Sequence, residues 1–340
     1  VLRPEHLPPR PIAELAATFS LALHGPATAA VTGIAVAASH VHPGDLYVGM
    51  QGAHAHGAAF AAEARERGAV ALLTDAAGHE LAAGADLPVL VGDQPRALLG
   101  QLSAWVYGTV DAPLELFGVT GTNGKTSTAY LLDAVLRQLG LRTGLSTTAE
   151  RVIDGERSAS RLTTPEAPEV HAMIALMRER GIDAATLEVS AQALTRHRVD
   201  GVRFGVVGFT NLSHDHLDDY GTMQAYLEAK AQLFSAERAQ CGVVSLDSVY
   251  GARVVELAEV PVTTISSRAG TPAEWRIEVT RELPERTDFR LTCPGGESIE
   301  SAVPVIGAHM AANAGLAIAM LVGAGHALGD IAAALGSEPI

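Results

Sequence analysis

The chain has 340 residues, 48% of them hydrophobic, enough for two or three domains with cores of their own. A formal net charge of −14 excludes a broad nucleic-acid surface and adhesion to anionic lipid, so any phosphate ligand must be gripped locally. Cys241 and Cys293 have no CxxC spacing, which excludes a disulfide framework or zinc ribbon and fits a reducing compartment.

The amino terminus carries prolines and charges where a secretory signal needs an apolar run, and the most apolar stretch, residues 314–325, is too short to span a bilayer. A cytoplasmic protein without membrane insertion is expected. Residues 46–48 read as a strand, followed by a Gly-containing loop, a helix over 58–67, a strand at 70–74 and another at 88–91, which together make a small α/β unit. A helix over 95–107 runs into Gly108-Thr109-Val110-Asp111-Ala112-Pro113, where turn residues break the periodicity. The first domain is therefore placed at 1–112 and the second at 113–340.

The second region opens with a strand at 114–120, a Gly-rich turn and an apolar-periodic helix over 126–139. A helix over 166–180, strands at 185–189, 204–209 and 241–245, and a helix over 222–237 follow. This alternation predicts a doubly wound, mainly parallel sheet, and the fold class is α/β. Residues 275–305 read as strands and turns, 310–322 as a helix, and a short Ala-rich helix comes last.

Gly121-Thr122-Asn123-Gly124-Lys125-Thr126-Ser127 lies between the buried-type strand and its helix, the setting a phosphate loop requires. Its glycines let backbone N–H groups and the helix N-terminus converge on one anion. Lys125 is positioned for β/γ-phosphates and the Thr126 hydroxyl for Mg²⁺. The general GxxxxGK[ST] spacing fails, because five residues separate Gly118 from Gly124.

Glu188 ends one predicted strand and His216 follows another, so both belong to the edge of the sheet where such folds bind ligands. A carboxylate and an imidazole can hold a second divalent cation, while a surface carboxylate and a loop histidine are the plain alternatives. Lys230 falls inside an apolar stripe of Met223, Tyr226, Leu227, Leu233 and Phe234. It either snorkels to water or is modified or metal-linked. Thr163-Thr164-Pro165 reads as a helix N-cap turn, Ser190 as a strand-end hydroxyl and Arg198 as a solvated arginine.

Residues 118–126, Gly-Val-Thr-Gly-Thr-Asn-Gly-Lys-Thr, resemble the ATP loop of the Mur ligase superfamily, and folylpolyglutamate synthases share the likeness. Phe209-Thr210-Asn211-Leu212-Ser213-His214-Asp215-His216-Leu217-Asp218, continuing to Tyr226 and Lys230, is similar to the tripeptide-forming branch. The resemblance implies that Lys230 is carbamylated by CO₂ and joins Glu188 and His216 at a second Mg²⁺. It also implies that Thr163 and Thr164 hold the muramyl peptide and that Ser190 and Arg198 meet its D-glutamate end. Residues 41–48 and 52–60 resemble the branch's UDP-binding domain, although Ala37-Ala38-Ser39 replaces the usual Asp-Ser-Arg. Asn313 is retained for ATP, whereas Met310 stands where an Asn is usual. Relatives continue into a further amino-acid-binding domain that is absent from these 340 residues.

The resulting expectation is a monomeric ATP-dependent amide ligase. It would add a diamino acid, diaminopimelate or lysine, to UDP-N-acetylmuramoyl-L-alanyl-D-glutamate through an acyl phosphate, using ATP, two Mg²⁺ ions and a carbamate on Lys230. A Mur-like ligase of specialised metabolism and a non-catalytic nucleotide- or precursor-binding homologue are the alternatives.

Overall fold

The computed structural model of the chain describes residues 2–110, 113–215 and 217–337. Its internal contacts divide it into two units. The first comprises Val1–Ala112, Pro165–Glu179 and Arg196–Val202, and the second Pro113–Thr164, Arg180–Thr195 and Arg203–Ile340. The first unit is thus discontinuous in sequence, where a continuous stretch of 1–112 was expected.

In the first unit a five-stranded sheet runs in the order Ala22–His24, Val89–Val91, Ala71–Thr74, Asp45–Val48, Gly33–Ala35. Only the Ala22–His24 edge is antiparallel to its neighbour. Leu46, Val48 and Leu73 face one core with Leu99, Leu102 and Val106, while Tyr47 and Leu72 face a second with Ala58, Ala61 and Ala64. Burial on both faces is what makes these strands continuous apolar runs. The helix Pro95–Tyr107 begins with Pro in its first turn and stops at Gly108, whose φ of 63° gives the left-handed cap.

The helix Ala167–Glu179 joins this unit through Ala172 and Ala175 and through a buried imidazole. Thr109 donates to His171 Nδ1 at 2.6 Å, and His171 Nε2 donates to the Asp200 carbonyl at 2.9 Å. With one nitrogen accepting and the other donating, the ring is satisfied only when neutral. Burial pushes its pKa down to about 4. One side chain therefore ties together all three segments of the unit.

The second unit is built on an eleven-stranded sheet. Its centre runs Thr143–Ser146, Ala184–Glu188, Glu115–Thr120, Phe204–Phe209, Ala239–Ser245, Val262–Ser266, Trp275–Leu283, with every neighbouring pair parallel. The expected parallel sheet is present, flanked by antiparallel strands on both sides. Glu115–Thr120, earliest in the chain, has later strands on each side, so the order reverses around it. That reversal opens a crevice at the carboxyl ends of the strands. The helices Lys125–Gln138 and Ala308–Gly323 cover one face, burying Phe117, Val119, Leu132, Leu136, Leu316 and Met320 together.

Two expectations need correction. The helix expected over 222–237 ends at Ala231 and tightens into a 3₁₀ turn, Gln232–Phe234, which sets Leu233 and Phe234 in the core. The hairpin Glu150–Ile153 with Glu156–Ala159 was not anticipated, although Asp154 and Gly155, at φ 52° and 81°, form the two-residue turn that Asp-Gly favours. Among the described residues, no helix is long and apolar enough to cross a membrane.

Candidate functional site

The phosphate loop leaves the central strand at the point where the sheet order reverses. Gly121 adopts φ 147° and Gly124 φ 85°, conformations that side chains rarely take. A Cβ on Gly121 would lie 1.9 Å from Thr210 Oγ1, and one on Gly124 would lie 2.7 Å from Asn313 Oδ1. The glycines thus serve both the turn and the close approach of neighbouring elements. The helix Lys125–Gln138 starts directly after Gly124, so its first N–H groups and positive end lie at the loop.

A strap from the next strand fixes this shape. Asn123 N–H donates to Asn211 Oδ1 at 3.1 Å, while Asn211 Nδ2 at 3.0 Å and Thr210 Oγ1 at 2.6 Å both donate to the Asn123 carbonyl. Thr122 N–H donates to the Asn211 carbonyl at 2.8 Å, and Ser213 N–H donates to Thr122 Oγ1 at 3.1 Å. The Asn211 side chain acts on Asn123 as another strand's backbone would. Thr210 and Asn211 carry no site role in the sequence reading, although they lie within its quoted Phe209–Asp218 segment.

Two lysines converge on one carbonyl. Lys125 Nζ donates to Gly121 O at 3.0 Å and to Thr122 O at 2.8 Å, and Lys230 Nζ donates to Gly121 O at 2.8 Å. Lys230 is 1% exposed and its Nζ sits 4.5 Å from the centre of the Tyr226 ring. Its charge does not snorkel to water. Burial, and then the neighbouring Lys125 ammonium, hold its pKa well below the usual lysine range, opposed by Asp215. Burial also lowers Lys125, while Glu188 and Asp215 raise it.

Glu188, 1% exposed, ends the strand Ala184–Glu188 beside the loop. Its carboxylate accepts from Thr148 N–H at 3.3 Å and from Thr148 Oγ1 at 2.9 Å, and Thr148 Oγ1 is also 3.0 Å from Thr163 Oγ1. Thr164 is not a helix cap. Its hydroxyl donates to the Glu188 carbonyl at 2.8 Å and accepts from Ser190 N–H at 3.1 Å. Ser190 Oγ in turn accepts from Ala193 N–H at 3.1 Å, holding the short helix Ala191–Thr195.

Arg198 is not a solvated arginine. It belongs to the first unit, is 8% exposed, and donates from Nε to Glu166 Oε1 at 3.0 Å. Arg96 holds the other oxygen of Glu166. His216 lies outside the described residues, and no group of three or more His, Cys, Asp or Glu side chains poised for a metal occurs among those described.

What the loop region offers is a glycine cradle that any Cβ would fill, two amines, a hydroxyl at Thr126 in the helix's first turn and the Glu188 carboxylate. Hard oxygen donors beside a cradle of N–H groups fit a nucleotide phosphate with Mg²⁺. Asn313, 8% exposed, packs on Gly124, with its Nδ2 3.9 Å from Met310 Sδ.

A separate open cleft of about 470 Å³ lies within the first unit, lined by Ala37, Ala38, Ser39, Tyr47, Arg96 and Glu166 among others. Tyr47 donates to the Gly57 carbonyl at 2.7 Å. His56 accepts Ala58 N–H at 3.1 Å and donates to Asp75 at 3.1 Å, holding the segment that edges the cleft.

Residues 119–321 match the family model for the Mur ligase middle domain, and residues 30–107 match that for the Mur ligase family catalytic domain. The chain is 57% identical over 335 residues to the UDP-N-acetylmuramyl-tripeptide synthetase of Leifsonia xyli subsp. xyli, covering 98% of this chain and 65% of that protein. It is 44% identical over 323 residues to the UDP-N-acetylmuramoyl-L-alanyl-D-glutamate–2,6-diaminopimelate ligase of Streptomyces avermitilis, covering 95% and 63%. A solved structure of a ligase with that same name superposes with a TM-score of 0.78 at 24% identity, covering 91% of this chain and 63% of the other, a likeness of fold. The chain thus spans less than two thirds of the length of these relatives.

Proposed function

The chain belongs to the Mur ligase family, comprising its N-terminal and middle domains, and from that premise we propose that it is the nucleotide- and precursor-binding part of a peptidoglycan ligase. The full-length protein adds a diamino acid to UDP-N-acetylmuramoyl-L-alanyl-D-glutamate at the expense of ATP, in the cytoplasm. The observation that carries this reading is the convergence of Lys125 and Lys230 on the Gly121 carbonyl, inside a glycine-built loop at the switch point of the sheet. A phosphate group entering the cradle gives Lys125 a stronger partner than the carbonyls it now holds.

The residues have separable tasks. Lys125 and the first N–H groups of its helix orient the nucleotide phosphates. Thr126 and Glu188, with His216, would hold Mg²⁺, and Asn313 steadies the loop from the side. When bound, Mg²⁺ would neutralise charge on the γ-phosphoryl group; the D-glutamate carboxylate would take that group as ADP leaves, and attack of the amine on the acyl phosphate would form the amide and expel inorganic phosphate. Lys230 fits the role of a carbamylated lysine, because only a neutral amine adds to CO₂ and its surroundings favour that form. In that addition an N–C bond forms as one C=O π bond of CO₂ opens onto oxygen, the amine gives one proton to solvent, and a neutral amine becomes an anionic oxygen ligand.

Substituting Lys125→Ala in the full-length protein is expected to abolish ATP-dependent ligation, a loss of at least about a hundredfold. Phosphate release requiring both precursor and diamino acid is the measurement, and undiminished turnover overturns the assignment.

A second reading, a ligase of the same class acting on another precursor, is favoured by the first unit's cleft, which is lined by Ala37, Ala38 and Ser39. Calorimetry with the UDP-muramyl dipeptide separates the two: saturable binding supports the first, its absence the second.

A further inference from the structure

Among the described residues that line the first unit's cleft, Glu63, Arg96 and Glu166 carry charge, and Arg96 is the one cation. Glu63 is paired with Arg67, whose Nε donates to its Oε1 at 3.2 Å. Glu166 is held by two guanidiniums: Arg96 Nη1 donates to its Oε2 at 2.5 Å and Arg198 Nε to its Oε1 at 3.0 Å. Each carboxylate oxygen therefore has its own arginine, and if Arg96 leaves, Glu166 keeps Arg198.

The two arginines differ in their freedom to move. The Arg198 side chain is 9% exposed and set in the fold, whereas that of Arg96 is 44% exposed and borders the open cleft. An ion pair so open to water is weak. Arg96 also lies in the first turn of the helix Pro95–Tyr107, which has no acidic residue there and no side-chain cap. A cation at the positive end of a helix is unfavourable unless an anion stands beside it, and a phosphate fits the guanidinium fork as well as a carboxylate does while carrying more charge. Ser39, on the same cleft wall, stands where the usual Asp-Ser-Arg ends in a cation.

Resting on the reading of this chain as the part that binds a nucleotide-linked precursor, we propose that Arg96 leaves Glu166 for the precursor's diphosphate while Glu166 stays on Arg198. Glu166 then competes with the ligand for one guanidinium, keeping Arg96 at the cleft wall until a diphosphate displaces it. Competition fixes an unusual sign: loosening the hold of Glu166 tightens the ligand.

The test uses the full-length protein and calorimetric titrations with the UDP-muramyl dipeptide, UDP and uridine. Arg96→Ala is expected to weaken the dipeptide and UDP about tenfold and to leave uridine unchanged, with Arg96→Lys restoring affinity to within about threefold. Glu166→Gln keeps the shape and removes the charge. It is expected to tighten UDP about threefold when Arg96 is present and not at all in combination with Arg96→Ala. Equal UDP affinity in the wild type and Arg96→Ala, with the dipeptide still bound, sinks the role of Arg96 alone, and so does an equal loss for uridine, which marks general damage to the cleft. A Glu166→Gln variant that binds UDP no better than the wild type, or that gains as much without Arg96, overturns the competition. No saturable binding of the dipeptide or of UDP to the wild type removes the precursor reading as well.

Discussion

The phosphate loop and the first unit's cleft are built by different means. In the loop, shape is held by backbone: two glycines at positive φ, main-chain groups of Thr122 and Asn123 strapped to Thr210 and Asn211, and two lysines returned to one carbonyl. In the cleft, small side chains such as Ala37, Ala38 and Ser39 line an open space whose edge is steadied by isolated bonds from Tyr47 and His56. A backbone-built site tolerates almost no change in its glycines, whereas a side-chain-built one can be re-lined without losing the fold. By this contrast the loop is held fixed while the lining at Ala37, Ala38 and Ser39 can change without loss of the fold.

The largest effect that would sharpen the comparison is expected from Gly121→Ala. The new methyl meets Thr210 Oγ1 at 1.9 Å and the backbone stays at φ 147°, which together cost about 3–5 kcal/mol. Binding of an ATP analogue is expected to fall more than about a hundredfold, and a variant that binds normally would show the loop to be pliable.

Next in size is the acid sensitivity of the first unit. His171 is neutral in the folded and unfolded states above pH 6.5, so it contributes no pH dependence there. As pH falls below 6.5 the unfolded imidazole takes a proton that the buried one refuses until about pH 4. Stability should drop over that window by about 3 kcal/mol, at roughly 1.4 kcal/mol per pH unit. Urea unfolding of the wild type and of His171→Leu checks this, and equal slopes with pH would free the unit from its imidazole tie.

The smallest effect belongs to the cleft. Tyr47→Phe loses one bond to the Gly57 carbonyl and is expected to cost about 1 kcal/mol of stability, with precursor binding changed less than about fivefold. A loss as severe as that of Gly121→Ala would erase the distinction between the two regions.

The parts legible in the sequence are those whose chemistry is local. Glycines, Lys125 and Thr126 between strand and helix announce the loop, and Lys230 within an apolar stripe announces a buried amine. Asp154-Gly155 was equally local, yet its flanking strands carry Glu150, Arg151, Glu156 and Arg157 and lack the clean alternation that would have marked them. The burial of Arg198 was not legible because its partner Glu166 lies thirty-two positions away, nor was the setting of Thr164, whose partners are a strand carbonyl and an amide beyond it. Thr148 gave no signal at all, since an exposed turn threonine is ordinary until Glu188 and Thr163 are seen on either side of it.

The discontinuity of the first unit also bears on how the protein is made. Residues 1–112 leave the ribosome before residues 165–202, but Thr109 must wait for His171 and Asp200, and the core around Leu99 for Ala172 and Ala175. By the time residue 202 emerges, the strand Glu115–Thr120 and the helix Lys125–Gln138 are already out and competing to collapse. The two units therefore mature in overlapping intervals instead of one after the other. Slow translation around codons 113–164 would lengthen the time the early segment spends with its apolar face uncovered.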